Sequence, residues 1–309
     1  MIRYTSYIKS IILVAFTTLS IVKAEAQQDP QFTHYMYNTM SVNSAYAGQR
    51  DVLSITGLYR TQWVGIDGAP ETITLGVHSP LRNERIGLGL NVISDRLGPA
   101  DETSIDANLS YSLPLDDFDY LELSFGLKAG VHSLSTDWGS VNLREGRAVP
   151  QDVNLFSPIL GAGLYLHSND WYLGLSVPNF INTDHYDDFE GSIATERLHY
   201  FLIGGYVFDL NESTKLKPAF LVKGVSGAPV IADLSVNALF KDKFTLGLAY
   251  RWDDSVSGLL GFQVNEGLFI GYSYDATTTR LNNFNSGTHE ITLRFELKQA
   301  GKILSPRFF

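Results

Sequence analysis

Histidines are the first residues to test for chemistry, and there are seven: His34, His78, His132, His167, His185, His199 and His289. Their spacing forms no H-E-x-x-H zinc motif. The chain also lacks a G-x-S-x-G nucleophile elbow, a G-x-x-x-x-G-K-[ST] phosphate loop and an acidic loop with EF-hand spacing. Cysteine is absent, which removes a disulfide framework, a thiolate metal site and a lipid-anchored N-terminus. A histidine such as His78 or His132 would need a paired serine and an orienting polar group to act as a base. No catalytic, metal-binding or cofactor-binding residue is assigned. The charged residues are more informative. Asp106, Glu122, Lys128, Asp233, Arg251, Glu290, Arg294 and Glu296 each stand at alternate positions of otherwise apolar runs, with Lys217 and Lys223 on a run whose faces are ambiguous. Opposite charges on one enclosed face either pair and stiffen the interior or line a selective passage. Glu122, Lys128, Arg251 and Arg294 are the candidates for either task.

The elements that position these charges have a period of two from Asp51 onward. Phe244, Leu246, Leu248, Tyr250 and Trp252 share one face, and Thr245, Gly247, Ala249 and Arg251 the other. Leu121, Leu123, Phe125, Leu127, Ala129 and Val131 alternate with Glu122, Ser124, Gly126, Lys128, Gly130 and His132. Ile291, Leu293, Phe295 and Leu297 alternate with Glu290, Thr292, Arg294 and Glu296. Each run has a greasy face, often ending in aromatics such as Tyr111, Tyr272 and Tyr274, and a face of small, polar or charged residues.

The chain opens with Arg3 and Lys9, an apolar run over residues 11–22, and Ala24 and Ala26 in a small-x-small pattern. This reads as a signal peptide over residues 1–26, cleaved before Gln27. The run is short for a membrane span, which needs ~20 apolar residues. Without residues 1–26 the net charge is about −12. An acidic exported chain with no basic stripe argues against nucleic acid as a partner. No later run is long enough for a transmembrane helix, so a membrane location requires a closed β-barrel, the other structure that satisfies its backbone in lipid.

The alternation resolves into about fourteen antiparallel strands, near residues 52–64, 70–79, 85–94, 102–113, 119–133, 157–167, 171–178, 196–209, 214–224, 230–240, 243–252, 255–265, 267–276 and 287–298. Every second link is tight, as at 80–84, 115–118, 168–170, 210–213, 241–242 and 265–266. Most links between these are longer, at 94–101, 134–156, 179–195 and 277–286. Short periplasmic turns, long outer loops and an even strand count are the pattern of an outer-membrane barrel, with outer-membrane lipid around it. A soluble sandwich also alternates but has no reason to sort its loops by parity. The expected organisation is all-β, with a transmembrane barrel over residues 51–298, both termini in the periplasm, and a periplasmic tail over residues 299–309. Residues 27–50 precede it as a segment of their own.

That segment is too aromatic for a solvated tail and too irregular for a strand. Phe32, Tyr35, Tyr37 and Tyr46, with Asn38 and Asn43, can bury area while still hydrogen-bonding a polar wall. The expectation is that it enters the lumen from the periplasmic end as a plug, or lies against the periplasmic rim. The outer loops hold a second set of candidates, Trp138, Arg144 and Arg147 in one and Phe180, Tyr186 and Phe189 in another. Large aromatics among charges are the side chains that carry most contact energy in protein interfaces.

Gln28-Asp29-Pro30-Gln31-Phe32-Thr33, Tyr35-Met36-Tyr37-Asn38 and Asn43-Ser44-Ala45-Tyr46-Ala47-Gly48 resemble the opening of mature PorP/SprF-family proteins, and Gly287-Thr-His-Glu-Ile-Thr-Leu293 resembles their closing strand. Thr39-Met40 stands where that family commonly has Pro-Leu, and Ser44 where Pro is common. The resemblance implies an outer-membrane accessory of the type IX secretion and gliding machinery. Its implied partners are secretion components and a secreted cell-surface protein, such as a gliding adhesin, engaged through its C-terminal domain. The alternative left by the residues themselves is a passive or selective porin.

Overall fold

The structure, a computed structural model, describes residues 31–117, 121–140, 151–181, 198–225 and 228–297. The expected signal peptide over residues 1–26, the expected tail over residues 299–309 and the candidates Arg144, Arg147, Tyr186 and Phe189 lie outside the described residues.

Fourteen strands follow one another around a single antiparallel sheet that closes on itself. They are β1 (Leu53–Thr61), β2 (Glu71–Pro80), β3 (Ile86–Leu97), β4 (Ala100–Pro114), β5 (Glu122–Thr136), β6 (Asn154–His167) and β7 (Trp171–Val177). β8 comes in two pieces, His199–Tyr206 and Phe208–Asn211. The ring continues with β9 (Thr214–Val225), β10 (Ile231–Phe240), β11 (Phe244–Arg251), β12 (Ser255–Asn265), β13 (Leu268–Thr277) and β14 (Thr288–Leu297). Closure is made by β1 on β14, from Leu53 opposite Leu297 to Thr61 opposite His289. The break in β8 falls at Val207, and its neighbour Tyr206 stands opposite Pro218 of β9, a residue with no N–H to give to a ladder.

Burial is inverted relative to a water-soluble protein. Ile73, Leu90, Ile105, Leu127, Leu248 and Leu260 are exposed, whereas Ser54, Thr72, Asn91, Asp106, Lys217 and Glu290 are buried. With a period of two, one face of every strand is turned outward and apolar and the other inward and polar. Pairing of β14 with β1 leaves neither end strand of the sheet as a free edge, as a hydrocarbon surround requires.

The links define two ends. The turn end has the tight reversals, including Lys241 and Asp242, both at φ 51°, between β10 and β11. Two successive residues at positive φ make the turn that matches the twist of a hairpin. The loop end has the other set, with one correction to the expected lengths. Residues 94–101 are not a long loop: β3 runs to Leu97, β4 begins at Ala100, and Arg96 pairs with Asp101. β5 likewise continues to Thr136 and β6 starts at Asn154. Apolar alternation stops at the lipid boundary, but backbone pairing does not need apolar side chains and continues past it.

Candidate functional site

Residues 31–50 lie inside the ring. They fold into three short turns, Tyr35–Tyr37, Thr39–Val42 and Ser44–Tyr46, and almost every side chain is buried. Short turns rather than a helix or strand leave backbone groups unpaired within the segment, and the inward polar faces of the strands satisfy them.

The leading end sits on a buried ionic cluster. Glu290 of β14 accepts the backbone N–H groups of Thr33 and His34 at 3.0 and 2.7 Å, and lies 2.8 Å from His34 Nδ1. Arg60 of β1 places Nη1 at 2.9 Å from both Glu290 and Asp275, and the Thr33 hydroxyl donates to Asp275. These residues belong to the loop-end halves of their strands. By Tyr37 the chain has descended: its ring packs on Phe269 at 4.7 Å, and the Arg294 guanidinium lies 5.7 Å from it.

From there the segment crosses the barrel. Asn38 donates to Thr74 of β2, Ser176 of β7 donates to the Val42 carbonyl, and Lys128 of β5 donates to the Ser41 carbonyl at 3.1 Å. Asn43 does two things at once: its amide donates to the Leu164 carbonyl of β6, and its oxygen caps the Ala45 N–H. Two wall glycines make room for this passage. A Cβ on Gly126 would overlap the backbone of Ser44 and Ala45, and one on Gly163 would overlap the Asn43 side chain. Tyr46 stacks edge-on against Tyr165, Gly48 donates to His78, and Gln49 donates to Ser112 and Ser124. The segment leaves through Arg50, which donates to Glu296 at 2.7 Å, while Arg294 meets the same carboxylate oxygen at 3.3 Å.

Glu290 and Glu296 are six residues apart on one strand, so the two ends of the segment are anchored about 20 Å apart along the wall. The path differs from the expected one. Its start is at the loop end and its exit at the turn end, so residues 31 and 297 stand at opposite ends of the barrel. Counting strands places both termini on one side, but the segment adds one more crossing. An epitope inserted directly before Gln31 is therefore expected on the same side as one in the 278–287 link, and opposite one at Lys241. Antibody labelling of intact cells against opened vesicles checks this.

The other candidates fall as follows. Phe32, Tyr35, Tyr37, Asn38, Asn43 and Tyr46 are all buried in the lumen. Arg251 pairs with Asp233 and Asp254, and Lys128 lies 3.6 Å from Asp106. Glu122 stands near the turn end, 3.7 Å from His167 and a quarter exposed. Trp138 lies at the loop end, where its backbone N–H donates to Asp152. Phe180 instead lies against the outer wall, beside Leu127 and Leu164, with its N–H donating to the Leu160 carbonyl in the middle of β6, so neither residue is brought together with the lumen. Sequence reasoning missed Arg60, Asp275 and Arg50. The first two carried the usable signal, since they continue the inward series Ser54, Thr56, Leu58, Arg60 and Gly271, Ser273, Asp275. Among the described residues no group of three or more His, Asp or Glu is placed to hold a metal ion.

A closed antiparallel ring with an apolar outer face and a polar lumen is an outer-membrane β-barrel, here one that encloses its own N-terminal segment. The chain belongs to the PorP/SprF family of type IX secretion system membrane proteins, whose family model matches residues 24–295. Among solved structures it is similar to the CymD monoaromatic hydrocarbon channel, 13% identical, with a TM-score of 0.52 over 85% of this chain and 93% of that one. Omp33 of Acinetobacter baumannii is 10% identical, with a TM-score of 0.48 over 81% of this chain and 100% of the other. These likenesses concern the barrel fold alone. Among curated proteins the chain has no significant match.

Proposed function

We propose that this type IX secretion protein is a closed, non-enzymatic barrel that captures or anchors a secreted cell-surface protein at its loop end. The loop end faces outward and the turn end faces the periplasm, where secretion components approach. The single observation that carries this reading is the segment over residues 31–50, tied to Glu290 at one end and Glu296 at the other. A barrel whose passage holds a crossing segment anchored on both sides works through its rims and walls. The secreted partner is engaged through its C-terminal domain, a cell-surface adhesin being the type of cargo the family context supports.

Planar-bilayer recording tests it. The intact protein is expected to be silent, and a variant lacking residues 31–48 is expected to conduct steadily. A large, steady conductance from the intact protein would overturn the proposal and leave the porin reading ahead. Affinity purification from the native outer membrane is the second arm, with a secreted surface protein and secretion components expected among what co-purifies.

A further inference from the structure

The outer wall is not smooth. Gly258 of β12 faces outward, opposite Leu248 of β11 on one side and Tyr274 of β13 on the other. A Cβ there would meet nothing within 4 Å, so its larger neighbours stand around a dent. The dent opens into a groove of about 570 Å³ that reaches from Tyr272 and Tyr274 on β13 to Ala238 of β10 and Leu216 of β9. Four strand spacings of ~4.8 Å give it a length of about 19 Å. Among the described residues its lining holds no charged side chain.

The groove runs obliquely, and its two ends differ. Tyr274 stands opposite His289, the second residue of β14 counted from the loop end. Leu216, at the other extreme, is the third residue of β9 counted from the turn end. The groove thus descends from the loop-end limit of the wall, where hydrocarbon gives way to polar groups, into its depth. At that upper limit His289 heads an outward series that is otherwise apolar, Ile291, Leu293, Phe295 and Leu297. Its Nδ1 lies 2.8 Å from the Tyr272 hydroxyl, and the Tyr274 hydroxyl donates to the Ser286 carbonyl. With Tyr272 donating to Nδ1, the ring proton is on Nε2, which is then a donor at the head of an apolar groove.

We propose that this groove binds one diacyl phospholipid of the leaflet at the loop end. An acyl chain lies over Gly258, and an ester or phosphate oxygen of the same lipid accepts from His289 Nε2–H. Location selects a lipid as the occupant, because the groove lies within the outward apolar face that hydrocarbon surrounds. Length agrees: one leaflet spans about half of the ~30 Å hydrocarbon core, and an oblique groove of about 19 Å takes a chain of that depth. Chemistry agrees as well, since ester and phosphate oxygens only accept and the polar end of the groove supplies a donor. A flat stretch of wall exchanges its lipids freely, whereas a dent with a hydrogen bond at its head retains one. The site goes beyond the capture reading, as it uses the outer wall and leaves the rim and the lumen segment untouched.

Native mass spectrometry of the full barrel tests it, with 1-palmitoyl-2-oleoyl phosphatidylethanolamine titrated into the micelles as probe. The wild-type barrel is expected to retain one phospholipid. Gly258→Val fills the floor of the groove and is expected to weaken retention about tenfold. His289→Phe keeps the wall apolar but removes the donor, and a loss of about fivefold is expected. Gly57→Val is the matched control, because Gly57 also faces outward, on β1, and is not part of the groove. It is expected to behave as wild type, with heat-modifiable gel mobility showing that every variant is folded. Equal retention in wild type, Gly258→Val and Gly57→Val overturns the site and leaves general annular lipid only. Retention that His289→Phe leaves unchanged overturns it too, since the headgroup contact would be absent. A wild-type dimer that Gly258→Val dissociates would make a second copy the occupant, and retention that rises on removal of residues 299–309 would make it the chain's own end; either result overturns the lipid site.

Discussion

Glu290→Ala is expected to release the leading end of the lumen segment, at a cost of about 3–5 kcal/mol to the anchored state. Glu290 is fully buried and takes two backbone N–H groups, the His34 ring and the Arg60 guanidinium. Removing it leaves Arg60 in the lumen with Asp275 as its remaining carboxylate contact, and leaves two backbone donors of the segment without acceptors. A buried donor left unpaired costs about 1–3 kcal/mol, and these losses share one site, so they do not simply add. The wall itself keeps its ladders, because Glu290 contributes only its side chain to the cluster. The measurement is limited proteolysis of residues 31–36 together with the open fraction in single-channel recording. Glu290→Gln keeps the size and an acceptor oxygen while losing the charge, so its effect is expected to be smaller. A Glu290→Ala barrel as silent and as protease-resistant as wild type would show that the cluster does not hold the segment.

Gly126→Val is expected to unseat the middle of the segment. A side chain at this position would meet the backbone of Ser44 and Ala45, which cannot rotate away as a flexible side-chain tip could. Overpacking costs about 1–3 kcal/mol even where neighbours shift, and a backbone neighbour places this case at the upper end. A loss of about 3 kcal/mol changes the seated-to-unseated ratio by roughly a hundredfold. The barrel is expected to fold regardless, since valine suits a strand better than glycine does. Gly258→Val is the matched control: nothing lies within 4 Å of a Cβ there, and the position is on the outer face. Conductance that appears in Gly126→Val and not in Gly258→Val is the expected result. Equal silence in both, with the barrel folded by heat-modifiable gel mobility, would mean that the segment does not depend on this gap.

Much of the fold was legible because the lipid boundary writes itself into every strand. Leu246, Leu248 and Tyr250 against Thr245, Ala249 and Arg251 is a pattern that survives any error in strand ends. The ends were less legible. Arg96 and Asp101 read as loop because they are charged, yet they pair beyond the lipid, and only coordinates show a ladder continuing where the side chains have changed solvent. The interruption of β8 at Val207 was also hidden, since Pro218 lies in the neighbouring strand and the two meet only across the sheet.

Residue order by itself determined the class of fold, the even strand count, the lumen-facing charges and the aromatic-amide character of the segment before β1. These are properties of period and composition, which local geometry turns directly into faces. Tertiary structure alone decided that the segment runs from the loop end to the turn end, and that Arg60, Asp275 and Glu290 converge on its tip. It alone decided that Gly126 and Gly163 are gaps for its backbone and that Gly258 floors a groove in the outer wall. Each of these depends on which residues of distant strands share a level around a closed ring. That level is set by register and shear across the whole barrel, and no window of sequence contains it.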